Sequence, residues 1–218
     1  MSKRRVAILI SGRGSNMTAL IEAAAAADYP AEIVLVISNV AGAPGLAFAG
    51  KAGIATLTIE SKSFGKDREG FERKLNDTLI AHKIELVCLA GFMRLLTPWF
   101  VQQWQGKMLN IHPALLPSYK GLHTHERALA DGVKIHGATV HFVVPEMDSG
   151  PIVMQGAVSV RDDDTPQTLA ARVLEVEHQI YPDALRLVAG GQTRIVGNSC
   201  KTGAESSPDD TLISPTVI

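Results

Sequence analysis

Hydrophobic positions in the first half of the chain fall into short runs separated by amphipathic stretches. Mostly apolar runs of strand length cover residues 6–10, 33–37, 55–59, 84–90 and 107–112. Between them, apolar residues at helical spacing or a proline at a helix-start position predict helices over 16–27, 44–52, 67–83 and 98–104. Apolar strands that alternate with helices indicate a parallel sheet with helices on both faces.

The pattern changes in the second half of the chain. Residues 137–144 alternate apolar and polar side chains, and 152–160 form another strand. Because 145–151 is too short for a crossover helix, these strands are expected to be antiparallel neighbours. A long amphipathic helix over 165–188 follows, which Pro182 is expected to bend or split. The predicted fold class is therefore α/β: a three-layer, mostly parallel, Rossmann-like sheet flanked by helices, with antiparallel strands added in the C-terminal part.

The length of 218 residues suits one domain with a full core, predicted over residues 1–196. From residue 197 the composition shifts to Ser, Thr, Gly, Asp and Pro. A segment with so few apolar residues cannot bury enough surface to fold. The sequence therefore predicts a disordered tail over 197–218.

Composition and charge exclude several classes of protein. Lys plus Arg is 21 and Asp plus Glu is 22, so the net charge is −1, and 46% of residues are hydrophobic. The chain lacks the basic excess of nucleic-acid-binding proteins and the roughly 20-residue apolar run of a membrane span. Cys88 lies in an apolar run and Cys200 in a polar segment, so no disulfide framework is predicted. With an apolar run too short for a signal peptide, a cytoplasmic protein is expected.

A glycine-rich loop, Ser11-Gly-Arg-Gly-Ser-Asn16, joins the first strand to the first helix. Backbone N–H groups at a helix start can bind phosphate. The loop has no lysine, which excludes a P-loop. Met17 and Ser38-Asn39 stand where a dinucleotide fingerprint needs a glycine and an acidic residue. A sugar-phosphate site and a plain tight turn both remain open from the loop alone.

Polar residues at the end of the fifth strand are candidates for catalysis. Asn110 and His112 alternate, so they share one face near the carboxyl end of a parallel strand, where α/β sheets bind ligands. An amide beside an imidazole can stabilise an oxyanion and transfer protons. Asp148 lies in the connection 145–151. A structural histidine and an ordinary loop aspartate are the alternatives.

The other histidines give no metal centre. His123 and His125 form an His-x-His pair, but no third ligand of matching spacing accompanies them. They are interpreted as loop or ligand-contact residues, and no metal is expected. His141 shares a strand face with Thr139 and could support a neighbouring site.

Five segments together resemble the folate-dependent phosphoribosylglycinamide formyltransferases of purine synthesis. The Asn-x-His-Pro motif with a later aspartate in a Gly-Pro loop is shared by the wider 10-formyltetrahydrofolate family. The Ser-Gly-x-Gly-Ser-Asn start points to the glycinamide branch. The resemblance extends from about residue 5 to 195 and is carried by residues 9–16, 89–96, 109–117, 121–125 and 141–151.

The resemblance implies that the protein transfers the formyl group of 10-formyltetrahydrofolate to the amino group of glycinamide ribonucleotide. The amine would attack directly, through a tetrahedral intermediate. Asn110, His112 and Asp148 would be the catalytic residues. The part up to about residue 105 would form the sugar-phosphate half, and the remainder the catalytic and folate half.

The resemblance also assigns ligand contacts. Those expected to bind glycinamide ribonucleotide are Gly14, Ser15, Asn16 and Glu177. Those expected to bind the formyl-folate cosubstrate are Arg68, Met93, Arg94, Leu95, Leu96, Asn110, Val144 and Met147. Leu174 departs from the family pattern, which often has a polar or basic contact there. Expected partners are small molecules and a second copy in a homodimer, with no nucleic acid and no membrane.

Three alternatives remain from the sequence. Methionyl-tRNA formyltransferase shares the catalytic residues but normally carries a C-terminal RNA-binding domain, whereas only a short, non-basic segment follows residue 196 here. Formyltetrahydrofolate hydrolase usually carries an N-terminal regulatory domain, for which there is no room before Val6. A non-catalytic sugar-phosphate-binding module would bind ligand without transferring a formyl group.

Overall fold

The computed structural model describes residues 2–203 and 214. The strands are β1 (Arg4–Ile10), β2 (Ala31–Ser38), β3 (Ala55–Thr58), β4 (Leu86–Leu89), β5 (Met108–His112), β6 (Ile135–Phe142), β7 (Ile152–Ser159), β8 (Thr193–Val196) and β9 (Ser199–Thr202). The helices are α1 (Ser15–Ala24), α2 (Pro44–Lys51), α3 (Arg68–Ala81), α4 (Pro98–Gln103), α5 (Thr124–Ala130) and α6 (Pro166–Ala189), with a short 3-10 helix at Ser61–Phe64.

The main sheet has the strand order β3-β2-β1-β4-β5-β6-β7. Pairing is parallel from β3 to β5 and antiparallel from β5 through β6 to β7. This confirms the predicted α/β class with antiparallel strands added at the end. The chain first winds outward from β1 to β3 and then returns to β4 on the other side of β1. The crevice at this reversal, outside the carboxyl ends of β1 and β4, is where such sheets bind ligands.

The core lies on both faces of the sheet because β1 is buried on both. Val6 and Ile8 belong to the apolar cluster that contains α1 and α6, whereas Ala7 and Leu9 belong to the cluster that contains α3 and α4. Successive side chains of a strand point to opposite faces, so a central strand needs a continuous apolar run. The run that predicted β1 is thus a consequence of helices packing on either side.

Helix α6 closes one face of the sheet as a single unbroken helix. Of the two effects expected of Pro182, a bend or a split, the split therefore does not occur. Thr165 caps its first turn by accepting a hydrogen bond from the N–H of Thr168. The hydroxyl of Tyr29 donates to the carbonyl of Pro182 across 2.7 Å. Within residues 2–203, no helix combines the length and apolarity that a bilayer crossing requires.

The structure differs from the predicted tail, because residues 199–202 pair with β8 as strand β9. The hairpin turns at Gly197-Asn198, where Gly197 has φ 58°. Two-residue hairpin turns need positive φ, which Gly and Asn adopt most easily. The Gly-Asn pair is thus a hairpin signal that lies within an otherwise polar stretch of sequence. Residues 204–213 and 215–218 of the predicted tail lie outside the described residues.

Candidate active site

A cleft of about 720 Å³ opens at the carboxyl end of β5. Its walls come from the loop after β4, the end of β5, the segment that leads into α5, and the connection between β6 and β7. Asn110, His112 and Asp148 all line it. A cleft of this size accommodates a small organic ligand or cofactor. The structure thus brings together the three residues predicted as catalytic.

His112 is held at both ring nitrogens. Its Nε2 lies 2.9 Å from the carbonyl oxygen of Tyr119, and its Nδ1 lies 3.5 Å from Oδ2 of Asp148. Because a carbonyl only accepts, Nε2 must carry a hydrogen. When the ring is doubly protonated, both N–H groups face an acceptor. A hydrogen-bond acceptor therefore faces each ring nitrogen of His112, and its side chain is only 7% exposed.

Asp148 owes its position to an unusual backbone. Its φ is 50°, in the left-handed region that aspartate tolerates better than most residues. Its Oδ2 accepts a hydrogen bond from the N–H of Gly121 at 2.8 Å. Two residues later, a Cβ on Gly150 would lie 1.8 Å from the carbonyl oxygen of Phe142, so only glycine fits there. The tight turn at Asp-Ser-Gly brings the carboxylate back against the end of β5.

Asn110 faces His141 across the antiparallel pairing of β5 and β6. Nδ1 of His141 donates to the carbonyl of Phe142 at 2.9 Å, which leaves Nε2 as the acceptor of a neutral ring. Burial lowers the pKa of His141, which favours that neutral form. Nε2 then accepts from Nδ2 of Asn110 at 3.2 Å. His141 therefore supports the site, as its strand position predicted.

The glycine-rich loop places Asn16 against α6. Helix α1 begins at Ser15, and its N-cap Gly14 has φ 70° and supplies no side-chain cap. Nδ2 of Asn16 donates to Oε2 of Glu177 at 2.6 Å, whereas Oδ1 of Asn16 is buried with no hydrogen-bond partner among the described residues. Burial raises the pKa of Glu177. Leu174 is half-buried on α6, one turn before Glu177.

The glycine-rich loop is hydrogen-bonded to the loop after β4, which lines the cleft. The N–H of Ser11 donates to the carbonyl of Gly91 at 3.1 Å, and Oγ of Ser11 accepts from the N–H of Met93 at 2.8 Å. These bonds join the loops that follow β1 and β4, the two strands at the reversal of strand order. A ligand on the glycine loop and a ligand in the cleft would therefore be neighbours.

Most of the expected folate contacts line the cleft. These are Met93, Arg94, Leu95, Leu96, Asn110, Val144 and Met147. Arg68 lies outside this lining, and its Nη2 donates to the carbonyl of Leu95 at 2.5 Å. As whole residues, Met93, Leu95 and Met147 are 75%, 64% and 53% exposed. Such exposed apolar side chains around one cleft provide surface for an apolar ring system.

Sequence reasoning missed several groups of the site. The carbonyl of Tyr119 and the N–H of Gly121 are backbone atoms, and nothing in the sequence marks them. Helix α5 was not predicted because it is only seven residues long. Leu122, which was not singled out, also lines the cleft, together with His123 and His125, which were interpreted as loop or ligand-contact residues. Within the described part of the chain, no group of three or more His, Cys, Asp and Glu side chains is arranged to hold a metal ion.

Strand β5 ends in Asn110-x-His112, and the turn between β6 and β7 adds Asp148 to the same cleft. Residues 4–185 match the family model described as formyl transferase, so the chain belongs to the formyl transferase family. The chain is 41% identical to phosphoribosylglycinamide formyltransferase of Escherichia coli (strain K12) over 203 residues, which are 93% of this chain and 95% of that protein.

Two further relatives agree with this assignment. The chain is 50% identical over 196 residues, 90% of its length, to the trifunctional purine biosynthetic protein adenosine-3 of Bos taurus, but spans only 19% of that protein. The solved structure of glycinamide ribonucleotide transformylase 1 from Symbiobacterium toebii superposes with a TM-score of 0.88 at 40% identity. That alignment covers 92% of this chain and 94% of the other.

Proposed function

We propose that the protein transfers the formyl group of 10-formyltetrahydrofolate to the amino group of glycinamide ribonucleotide, a step of de novo purine biosynthesis. Relatives that match nearly end to end, at about 40% identity, carry this activity in their names. The observation that carries the proposal is the meeting of Asn110, His112 and Asp148 at a cleft that adjoins the glycine loop. The glycine-rich loop can hold a sugar phosphate and the cleft can hold a folate, with the reacting atoms between them.

The amine of glycinamide ribonucleotide attacks the formyl carbon directly. Negative charge then develops on the formyl oxygen, and the carbon passes through a tetrahedral intermediate. Asn110 uses one amide N–H on His141 and retains a second for the oxyanion. His112, protonated between Tyr119 and Asp148, adds a positive charge beside it. The amine loses a proton, and the folate nitrogen gains one as it leaves.

Asp148 serves this proton movement from a position beside His112. Its Oδ2 lies 3.5 Å from Nδ1 of His112. The N–H of Gly121 holds the same oxygen. Asp148 also lines the cleft, so its carboxylate is placed to relay a proton from the attacking amine, directly or through water.

The glycine loop is proposed to hold the ribose phosphate. Gly14, Ser15 and Asn16 present free N–H groups at the start of a ten-residue helix, and that end carries partial positive charge. The unpartnered Oδ1 of Asn16, with the neighbouring Glu177, can accept hydrogen bonds from ribose hydroxyls or an amine. The formyl-folate is proposed to lie in the cleft, against Met93, Leu95, Leu96, Val144 and Met147, with Arg68 and Arg94 near its charged end. A homodimer and a cytoplasmic location stay predictions.

Three acceptor conditions test the proposal. The purified protein is incubated with 10-formyltetrahydrofolate and deformylated folate is followed with glycinamide ribonucleotide, with methionyl-tRNA, and with neither. Deformylated folate is expected to form rapidly with glycinamide ribonucleotide, but not with methionyl-tRNA and not without an acceptor. Equal release without any acceptor would instead identify a hydrolase, and release only with methionyl-tRNA a tRNA formyltransferase. Tight binding of glycinamide ribonucleotide with no release under any condition would identify a binding module.

A further inference from the structure

Tyr119 lies in the segment between β5 and α5 and holds the far side of the His112 ring. Its carbonyl oxygen is 2.9 Å from Nε2 of His112, and its own φ is 56°. Glycine, asparagine and aspartate adopt this left-handed conformation at least cost, whereas an aromatic residue needs support from its surroundings. Something in the structure must therefore keep Tyr119 in place.

The Tyr119 ring is packed from two sides. The guanidinium carbon of Arg127, from α5, lies 5.4 Å from the ring centroid, and the ring of His136, from β6, meets it edge-on at 5.8 Å. His136 is in turn packed edge-on against His125 at 5.3 Å. These contacts fix the side chain of Tyr119 relative to two elements of the scaffold. They therefore also fix the direction of its peptide.

The partners of Tyr119 have fixed charge states. Burial lowers the pKa of His136 to about 4, with the nearby charge of His125 adding to this, so the ring is neutral at neutral pH. Arg127 remains cationic and also donates to the carbonyl of Lys120 at 2.7 Å. The next peptide is thus held as well. The ring stack around Tyr119 does not depend on protonation near neutral pH.

The consequence falls on the proton distribution of His112. A carbonyl acceptor at Nε2 requires a hydrogen there, so a neutral His112 would leave Nδ1 without one. Nδ1 faces Asp148 and Nε2 faces away from it. Any proton that His112 gains is therefore added at the nitrogen beside Asp148. Without the Tyr119 carbonyl, the neutral ring could carry its single hydrogen on either nitrogen.

We propose that Tyr119 is a positioning residue of the reaction: its packed ring holds a left-handed peptide whose carbonyl fixes the tautomer and orientation of His112. The proposal rests on the proposed function for its kinetic consequence. Pro113 and Gly121, which precede and follow Tyr119 in the sequence, line the cleft. Tyr119 is not among the described residues that line it. Tyr119 therefore acts on turnover rather than on ligand binding.

Three substitutions separate the ring from the backbone. Tyr119→Phe keeps the ring, Tyr119→Gly removes it but adopts φ near 56° freely, and Tyr119→Val removes it and disfavours that conformation. Nitrogen-15 spectra of the histidine rings, assigned with His112→Gln, report which nitrogen of His112 carries hydrogen when neutral. Steady-state kinetics report kcat and KM for both substrates.

Tyr119→Phe should keep the Nε2–H form and the wild-type kcat. Tyr119→Gly should show a mixture of tautomers and a lower kcat, and Tyr119→Val should lose about 100-fold in kcat with little change in KM, as expected for a misplaced catalytic group. A folded Tyr119→Gly or Tyr119→Val protein with the wild-type ring spectrum and kcat would overturn the proposal. If Tyr119→Val does not fold, Tyr119→Gly decides. Because the spectra need no substrate, they stand even if wild-type protein transfers no formyl group.

Discussion

Nδ2 of Asn110 lies 3.2 Å from Nε2 of His141, its partner in the β5–β6 ladder. The neutral imidazole can only accept at Nε2, because its Nδ1 hydrogen is used on the carbonyl of Phe142. This contact fixes the orientation of the Asn110 side-chain amide, whose nitrogen faces His141. The second amide hydrogen is then available to the reaction, and the orientation does not depend on bound ligand.

Replacement of Asn110 by alanine removes that donor. Loss of one oxyanion donor costs about 10²–10³-fold in rate, and we expect this decrease in kcat for Asn110→Ala. Asn198→Ala, at the exposed turn of the β8–β9 hairpin, is the matched control and should keep the wild-type kcat. Steady-state formyl transfer to glycinamide ribonucleotide measures both. Near-normal turnover by folded Asn110→Ala would exclude the assigned role.

Asp148→Asn tests charge without disturbing the backbone. Asparagine tolerates the left-handed φ of 50° as well as aspartate does, and its carbonyl can still accept from Gly121. Only the negative charge beside His112 is lost. We expect kcat to fall by about 10²–10⁴-fold, the usual range for a group that moves protons.

The control for Asp148→Asn is Asp163→Asn, which changes an exposed aspartate outside the site. It should leave kcat unchanged. If Asp148→Asn retains the activity of this control, the carboxylate is not needed for proton movement. The proposed mechanism would then lose its base.

Sequence patterns predicted the sheet because its central strands are buried on both faces. The apolar run of β1 exists only because helices cover Val6 and Ala7 from opposite sides. Asn110 and His112 could be found for a similar reason, since two-residue spacing on a strand fixes a shared face. The support of His112 could not be found, because the atoms that hold it belong to the peptides of Tyr119 and Gly121 and to a turn closed by Gly150.

The hydroxyl of Tyr181 links the strands that form the site to α6. Its single hydrogen is shared between the carbonyls of Leu89 and Leu109, which lie at 3.1 and 3.2 Å. Tyr181→Phe leaves buried carbonyls without this donor, so the free energy of unfolding should decrease by about 1–3 kcal/mol. Urea denaturation measures the change. The comparison is Tyr29→Phe, which removes one hydrogen bond to the carbonyl of Pro182. An unchanged urea midpoint for Tyr181→Phe would contradict the prediction.

Glu177 is expected to bind substrate at the expense of stability. The residue is 7% exposed, and burial raises the pKa of its carboxyl group above the ordinary 4.5, against the opposing hydrogen bond from Asn16. A raised carboxyl pKa means that the folded protein binds this proton more tightly than the unfolded chain does. Its contribution to stability is therefore present below pH 4.5 and is lost as the pH rises through the folded-state value.

Glu177→Gln removes this penalty and keeps an acceptor for Asn16. The substituted protein should have a higher Tm than wild type at pH 8, and the difference should shrink as the pH falls below about 4.5, where the glutamate is protonated in both states. The KM for glycinamide ribonucleotide should rise at the same time. Thermal unfolding across this pH range, with exposed Glu175→Gln as control, measures the first effect. A difference in Tm that is the same at pH 4 and pH 8 would show that the Glu177 carboxyl does not carry the penalty.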